Sequence, residues 1–214
     1  TIMGRLLYQA RQAMGAALAR EYPVDADLVI GIPDSSTVAA TGYAREAGIP
    51  FSEGLIKNRY VGRTFIQPDQ RLRELGVRIK YNPLPEIIGG KRLIVVDDSI
   101  VRANTTPHVI SLLRQAGAKE IHMRICAPPI RHPCYFGVDM ASRQELLASY
   151  KSVDEIREHI GADSLGYLSL EGLVEAVGLP RTSFCTACFN GEYPIPVQLE
   201  LDKLALERNL VGQR

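Results

Sequence analysis

A strand that has to be covered on both faces is the strongest constraint in this chain. Leu93-Ile94-Val95-Val96 is an unbroken, mostly β-branched apolar run. Such a run suits the interior of a parallel sheet, where neither face meets water. Two adjacent carboxylates, Asp97 and Asp98, end it. They fall at the carboxyl edge of a sheet, where open α/β folds bind ligands. Residues 99–106 follow with small and hydroxyl side chains and open a helix. Backbone N–H groups, hydroxyls and a helix N-terminus favour a phosphate there. Carboxylates beside a phosphate cradle repel it unless they hold sugar hydroxyls or a magnesium ion. The run therefore reads as a site for a phosphorylated sugar carrying Mg²⁺. The plainer alternative is a strand with a polar turn that binds nothing, but two uncompensated carboxylates are an odd choice for structure alone.

The rest of the chain alternates strands and helices. Periodicity and turn residues predict helices over 6–20, 38–47, 67–75, 105–116, 143–149 (the first of two short ones), 153–160 and 170–177. Strands are expected over 27–32, 51–56, 77–81, 93–96, 120–126 and 165–168. This order argues for an α/β fold with a parallel sheet wrapped by helices and right-handed crossovers. The 214 residues allow one such domain plus additions. We expect residues 1–178 to form it, with a lid loop at 57–68 and a ligand loop at 97–106, and residues 179–214 to be a cysteine-containing extension packed on it.

Net charge is +1, which gives no bulk attraction to nucleic acid or membranes. No apolar stretch is long enough to span a bilayer and no signal peptide is visible. A cytoplasmic setting follows, and the four cysteines then read as reduced thiols or metal ligands.

Two further stretches carry chemistry. The turn Pro33-Asp34-Ser35-Ser36-Thr37 also ends a strand and opens a helix, so it suits a second anionic group. Read alone, Asp34 or Ser35 could equally be an N-cap. Lys57-Asn58-Arg59-Tyr60-Val61-Gly62-Arg63-Thr64-Phe65 is cationic with interleaved aromatics. It reads as a solvated loop, as an RNA contact, or as a lid that excludes water and stabilises a departing anion. Near-neutral total charge makes the RNA option the minor one.

The central run resembles the phosphoribosyl pyrophosphate (PRPP) motif of type I phosphoribosyltransferases: four apolar residues, two acids, and a loop ending in Ala103-Asn104-Thr105. Ala103 stands where the motif more often has glycine. The lid sequence, Ile32-Pro33-Asp34-Ser35-Ser36, Pro128-Pro129-Ile130-Arg131-His132-Pro133-Cys134, Ile160-Gly161-Ala162-Asp163 and Cys185-Thr186-Ala187-Cys188-Phe189-Asn190-Gly191 together resemble the glutamine PRPP amidotransferase family, in the same order. The resemblance implies a type I phosphoribosyltransferase-like sheet. It also implies transfer of phosphoribosyl from PRPP to ammonia, giving phosphoribosylamine and pyrophosphate, the first committed step of purine synthesis. Asp97, Asp98, Lys57, Tyr60 and Arg63 would be catalytic. Asp34, Ser35, Ser36, Ser99, Ile100, Val101, Arg102, Ala103, Asn104, Thr105 and Thr106 would bind PRPP, and Ser36, Asp97 and Asp98 would hold Mg²⁺ directly or through water.

Cys134, Cys185 and Cys188 are a soft-metal arrangement. The resemblance implies three of four ligands to a 4Fe–4S cluster, the fourth being missing from this chain. Cys126 reads as a buried strand-end thiol instead. A zinc site that adds His132, and three unliganded thiols, remain open. The family also implies feedback by purine nucleotides, assembly of several copies, and a glutaminase domain for which there is no room before the first core strand. The chain thus reads as a fragment or truncated product, ammonia-dependent at best. A non-catalytic PRPP-sensing regulator and a base-salvage phosphoribosyltransferase are the other readings. No DNA-binding element or base-binding hood is recognisable to favour either.

Overall fold

The computed structural model describes residues 1–58, 60, 80–138 and 143–197. In chain order its main elements are α1 (Leu7–Glu21), β1 (Leu28–Gly31), α2 (Thr37–Ala47), β2 (Leu55–Lys57), β3 (Tyr81–Pro83), α3 (Pro85–Ile88), β4 (Arg92–Asp97), α4 (Thr106–Gln115), β5 (Glu120–Ile125), α5 (Val153–Ile160), β6 (Ser164–Tyr167), α6 (Leu170–Val177) and α7 (Ala187–Asn190). The expected helix over 67–75, most of the strand over 77–81, and Arg63 lie outside the described residues.

Four parallel strands form the sheet in the order β1-β4-β5-β6. The apolar run in β4 is central, and Leu93, Ile94, Val95 and Val96 are each 0% exposed. Strand alternation divides them between two cores. Leu93 and Val95 join Leu28, Ile30, Ile121, Met123 and Ile125, with Val109 and Leu113 of α4 and Ile156 and Ile160 of α5. Ile94 and Val96 join Val29, with Ala17 and Leu18 of α1 and Ala39, Ala40 and Tyr43 of α2. Each buried Val, Ile or Leu contributes about 1.5–3 kcal/mol, so this strand anchors both layers.

Two expected elements take a different form. Residues 51–56 do not make one strand: Phe51 makes a single parallel bridge to Val29, and the chain then leaves the sheet. Gly54 passes so close to Ile30 and Ile88 that a Cβ would meet their Cγ2 atoms at 2.8 and 2.7 Å. Beyond it, β2 pairs antiparallel with β3 in a separate two-stranded ribbon. Residues 143–149 make two single 3₁₀ turns, Arg143–Glu145 and Leu147–Ser149.

The first two helices approach closely because each sets a glycine against the other's backbone. A Cβ on Gly15 would lie 1.9 Å from the Ala39 carbonyl oxygen, and one on Gly42 would lie 2.0 Å from that of Gln12. No flexible side chain can yield at either point, so the helices themselves would have to part. No helix among the described residues is long and apolar enough to cross a membrane.

Gly15→Ala and Gly42→Ala should each destabilise the fold by about 1–3 kcal/mol, the usual cost of overpacking, despite alanine's better helix propensity. Urea unfolding midpoints measure this, and an unchanged or raised midpoint would contradict the close approach.

Candidate functional site

The carboxyl ends of β1 and β4 open into a cavity of about 850 Å³. Its wall includes Pro33, Asp34 and Ser35 from the turn after β1, Lys57 from β2, Tyr81 from β3, and every residue from Asp97 to Thr106. The two stretches singled out in the sequence therefore share one space, although 61 residues separate Ser36 from Asp97.

Asp97 is the buried end of the acid pair. Its Oδ1 accepts from the Ser36 hydroxyl at 3.0 Å and from the Asp98 backbone N–H at 2.8 Å. Burial, and then the neighbouring Asp98 charge, push the Asp97 carboxyl up to about 7 against the lowering effect of those two bonds. Asp98 is more open, and its Oδ1 accepts from the Ser99 hydroxyl at 3.0 Å. Ser36 is only 1% exposed and is not part of the cavity wall. Its hydroxyl stands behind Asp97 and orients that carboxylate. Two adjacent carboxylates with no ion-pair partner among the described residues fit a hard divalent cation in donor type. Among the described residues no group of three or more His, Cys, Asp or Glu is set to hold a metal ion.

The loop after the acids is fastened at several points. Ile100 and Ala103 are buried. Leu147 N–H donates to the Val101 carbonyl at 2.9 Å, and Arg102 forms an ion pair with Glu145. Arg102 thus ties the loop to the 3₁₀ turns. Ala103 adopts φ 53°, in the left-handed region, the conformation that explains the motif's usual glycine. Helix α4 then starts with Thr105 at its N-cap, without a side-chain cap, and Pro107 in its first turn. Its leading N–H groups face the loop without a competing side chain.

In the first turn the capping alternative does not hold. Helix α2 has Ser36 at its N-cap without a side-chain cap bond. The Asp34 carboxylate instead pairs with Lys57 Nζ at 3.0 Å, which links this turn to the base of the basic loop. Tyr60 is fully exposed and does not line the cavity. Arg11, Lys80, Tyr81 and Val138 also line it, and the sequence reading assigns none of them. No local pattern marks them. Arg11 belongs to an otherwise ordinary helix, and Tyr81 ends a short stretch of alternating apolar and basic residues.

The three cysteines gather elsewhere. Arg131 and His132 backbone N–H groups donate to the Cys188 carbonyl at 2.9 and 3.0 Å. Phe136 N–H donates to Cys134 Sγ at 3.4 Å. Tyr193 packs against Tyr135 and Phe136, with centroids 5.2 and 6.3 Å apart, and donates its hydroxyl to the Pro133 carbonyl. Burial, followed by nearby Cys134, pushes the Cys188 thiol up, with Cys185 adding to it. The sulfurs are neighbours but, as noted, not a ready ligand set. The His132 ring covers Gly191, where a Cβ would meet it at 3.0 Å.

A family model described as phosphoribosyl transferase domain matches residues 4–162. The chain is 53% identical over 99% of its length to an amidophosphoribosyltransferase of Mycobacterium tuberculosis, covering 42% of that protein. It is 51% identical over 97% of its length to one of Methanothermobacter thermautotrophicus, covering 44%. The chain therefore spans less than half the length of these relatives. Among solved structures, glutamine PRPP amidotransferase from B. subtilis complexed with ADP and GMP superimposes with a TM-score of 0.84 at 50% identity, covering 94% of this chain and 45% of that one.

Two outcomes test this geometry. Ala103→Gly should leave stability unchanged or raise it by up to about 1 kcal/mol, because relief of left-handed strain offsets the added freedom of the unfolded chain. A clear loss in thermal unfolding would contradict the assigned φ. For Asp97, a folded pKa raised above the unfolded one means the native state holds the extra proton, so ionisation destabilises it as pH rises. Asp97→Asn should match wild type in stability below about pH 4, gain on it between about pH 4 and 7, and hold a constant advantage above. A pH series of denaturant midpoints checks this, and an advantage confined to acid pH would reverse the sign.

Proposed function

The chain belongs to the phosphoribosyl transferase domain family, and on that footing we propose that its cavity binds PRPP with Mg²⁺ and transfers the phosphoribosyl group to ammonia, releasing pyrophosphate. The observation that carries this is the pairing of the Asp97–Asp98 carboxylates with an uncapped helix start across a fastened loop, all in one cavity. The match to amidophosphoribosyltransferases supports ammonia as the acceptor.

In this reading, the loop 99–106 and the start of α4 take the 5′-phosphate through N–H groups and hydroxyls. Asp97 and Asp98 hold Mg²⁺, directly or through water, with Ser36 orienting Asp97. Bound there, the cation screens the diphosphate charge and makes it a better leaving group. The turn 33–35 and Lys57 receive the diphosphate, for which Lys57 exchanges its Asp34 partner. The C1–O bond breaks, pyrophosphate departs with the bonding electrons, and ammonia attacks the opposite face and then loses a proton. No protein nucleophile is required. The chain contributes positioning, charge stabilisation and exclusion of water from an oxocarbenium-like centre. Tyr60 and Arg63 belong to the covering loop in this reading.

The cysteines fit a 4Fe–4S cluster in donor type but not in number, since Cys134, Cys185 and Cys188 make three. No step depends on such a cluster. Glutamine as the nitrogen source, through a glutaminase domain, assembly of several copies, and inhibition by purine nucleotides extend the same reading. The ADP and GMP in the B. subtilis relative support the last of these.

Pyrophosphate release should require PRPP, Mg²⁺ and ammonium chloride. Release driven by adenine, hypoxanthine or uracil in place of ammonium would sink the reading. Asp98→Asn should lower the rate by about 10² or more.

A further inference from the structure

Tyr81 is 6% exposed, and its ring belongs to the core cluster that includes Ile32, Ile100, Ala103 and Val109. Yet the residue also lines the cavity. Two other tyrosines, Tyr43 and Tyr193, donate their hydroxyls to carbonyls, those of Tyr22 and Pro133, each at 2.8 Å. The Tyr81 hydroxyl has no hydrogen-bond partner among the described residues, and unlike that of Tyr167 it is not sealed away from all space. The residue lines the cavity, and its phenol is near enough to Asp97, Asp34 and Asp98 to feel their charges, so a ligand in that space can meet the hydroxyl.

We propose that the Tyr81 hydroxyl donates a hydrogen bond to a phosphoryl oxygen at the diphosphate end of the sugar ligand. The assignment rests on the PRPP reading and adds a residue to it. Register supports the choice of end: Tyr81 stands opposite Lys57 on the β2–β3 ribbon, and Lys57 reaches Asp34 of the turn after β1. Chemistry supports it too. Sugar hydroxyls can donate to the carboxylates already present, whereas phosphoryl oxygens only accept. Burial, then the charges of Asp97, Asp34 and Asp98, push the phenol up to about 12, so it stays a donor across the physiological range. The Lys80 ammonium, 5.4 Å from the ring centroid, adds a face contact that fixes the ring and not the hydroxyl.

Tyr81→Phe keeps the ring, its packing and the Lys80 contact, and removes only the donor. Calorimetric titrations with PRPP, pyrophosphate and ribose 5-phosphate, each with Mg²⁺, read the result. PRPP and pyrophosphate should bind roughly tenfold more weakly or worse, the range for a bond to a charged acceptor. Ribose 5-phosphate affinity and the unliganded melting temperature should not move. Unchanged PRPP and pyrophosphate affinities would overturn the assignment, and so would an equal loss for all three ligands, which marks a misshapen cavity. Wild-type protein that bound none of the three would overturn the PRPP reading itself, and the Tyr81 assignment with it.

Discussion

Asp97 joins the ends of three strands at one side chain and one carbonyl. Its Oδ1 holds the Ser36 hydroxyl from the segment after β1, and its carbonyl accepts the Cys126 N–H at the end of β5 at 2.9 Å. One step earlier in β4, the Val96 carbonyl accepts the Ile32 N–H at 2.9 Å. The sheet's carboxyl edge is thereby drawn together around a carboxylate that has no cationic partner among the described residues and that burial has pushed up to about 7. Apolar packing of β4 stabilises this arrangement, not the carboxylate itself. The molecule carries an unfavourable charge at the point where a ligand-borne cation would make it favourable, a usual cost of preorganised sites.

Around that junction the cavity has a firm half and a loose half. The loop from Ser99 to Thr106 is pinned by buried Ile100 and Ala103, by the Leu147 N–H and by Glu145 on Arg102. The opposite half hangs on the short β2–β3 ribbon and the Lys57–Asp34 pair, whose side chains are 28% and 59% exposed. An ion pair so open to water is worth about 0–1 kcal/mol, so an anionic ligand can take Lys57 at little cost. A fastened cradle on one side and an easily exchanged ion pair on the other suit the proposed PRPP ligand, whose 5′-phosphate would stay while its diphosphate departs.

Much of this was legible in the chain because it depends on runs. The covered strand at 93–96, the acids after it and the helix end at Gly48 are local patterns, and each falls where expected. What was not legible depends on tertiary contact. Residues 51–56 leave the sheet after a single bridge, with Gly54 tight against Ile30 and Ile88. The Ser36 hydroxyl meets Asp97 across 61 residues, a contact no local pattern marks. Arg11 and Tyr81 enter the cavity as single side chains from elements whose own patterns are ordinary. The departure at Ala103 was visible as an unusual residue, but only its φ of 53° says why glycine is favoured there.

The same distinction bears on the donor atoms. Residues with carboxylate and hydroxyl groups line the cavity, and Cys134, Cys185 and Cys188 are not part of its wall. Hard oxygen donors and soft sulfur donors thus occupy separate places in the fold. Cys126 is the apparent exception, since its backbone touches Asp97. Burial, then the Asp97 and Asp98 charges, push its thiol up to about 12. It therefore stays a neutral, apolar filler beneath the acid pair, and the carboxylates that repel a thiolate there also protect the oxygen set from a competing sulfur.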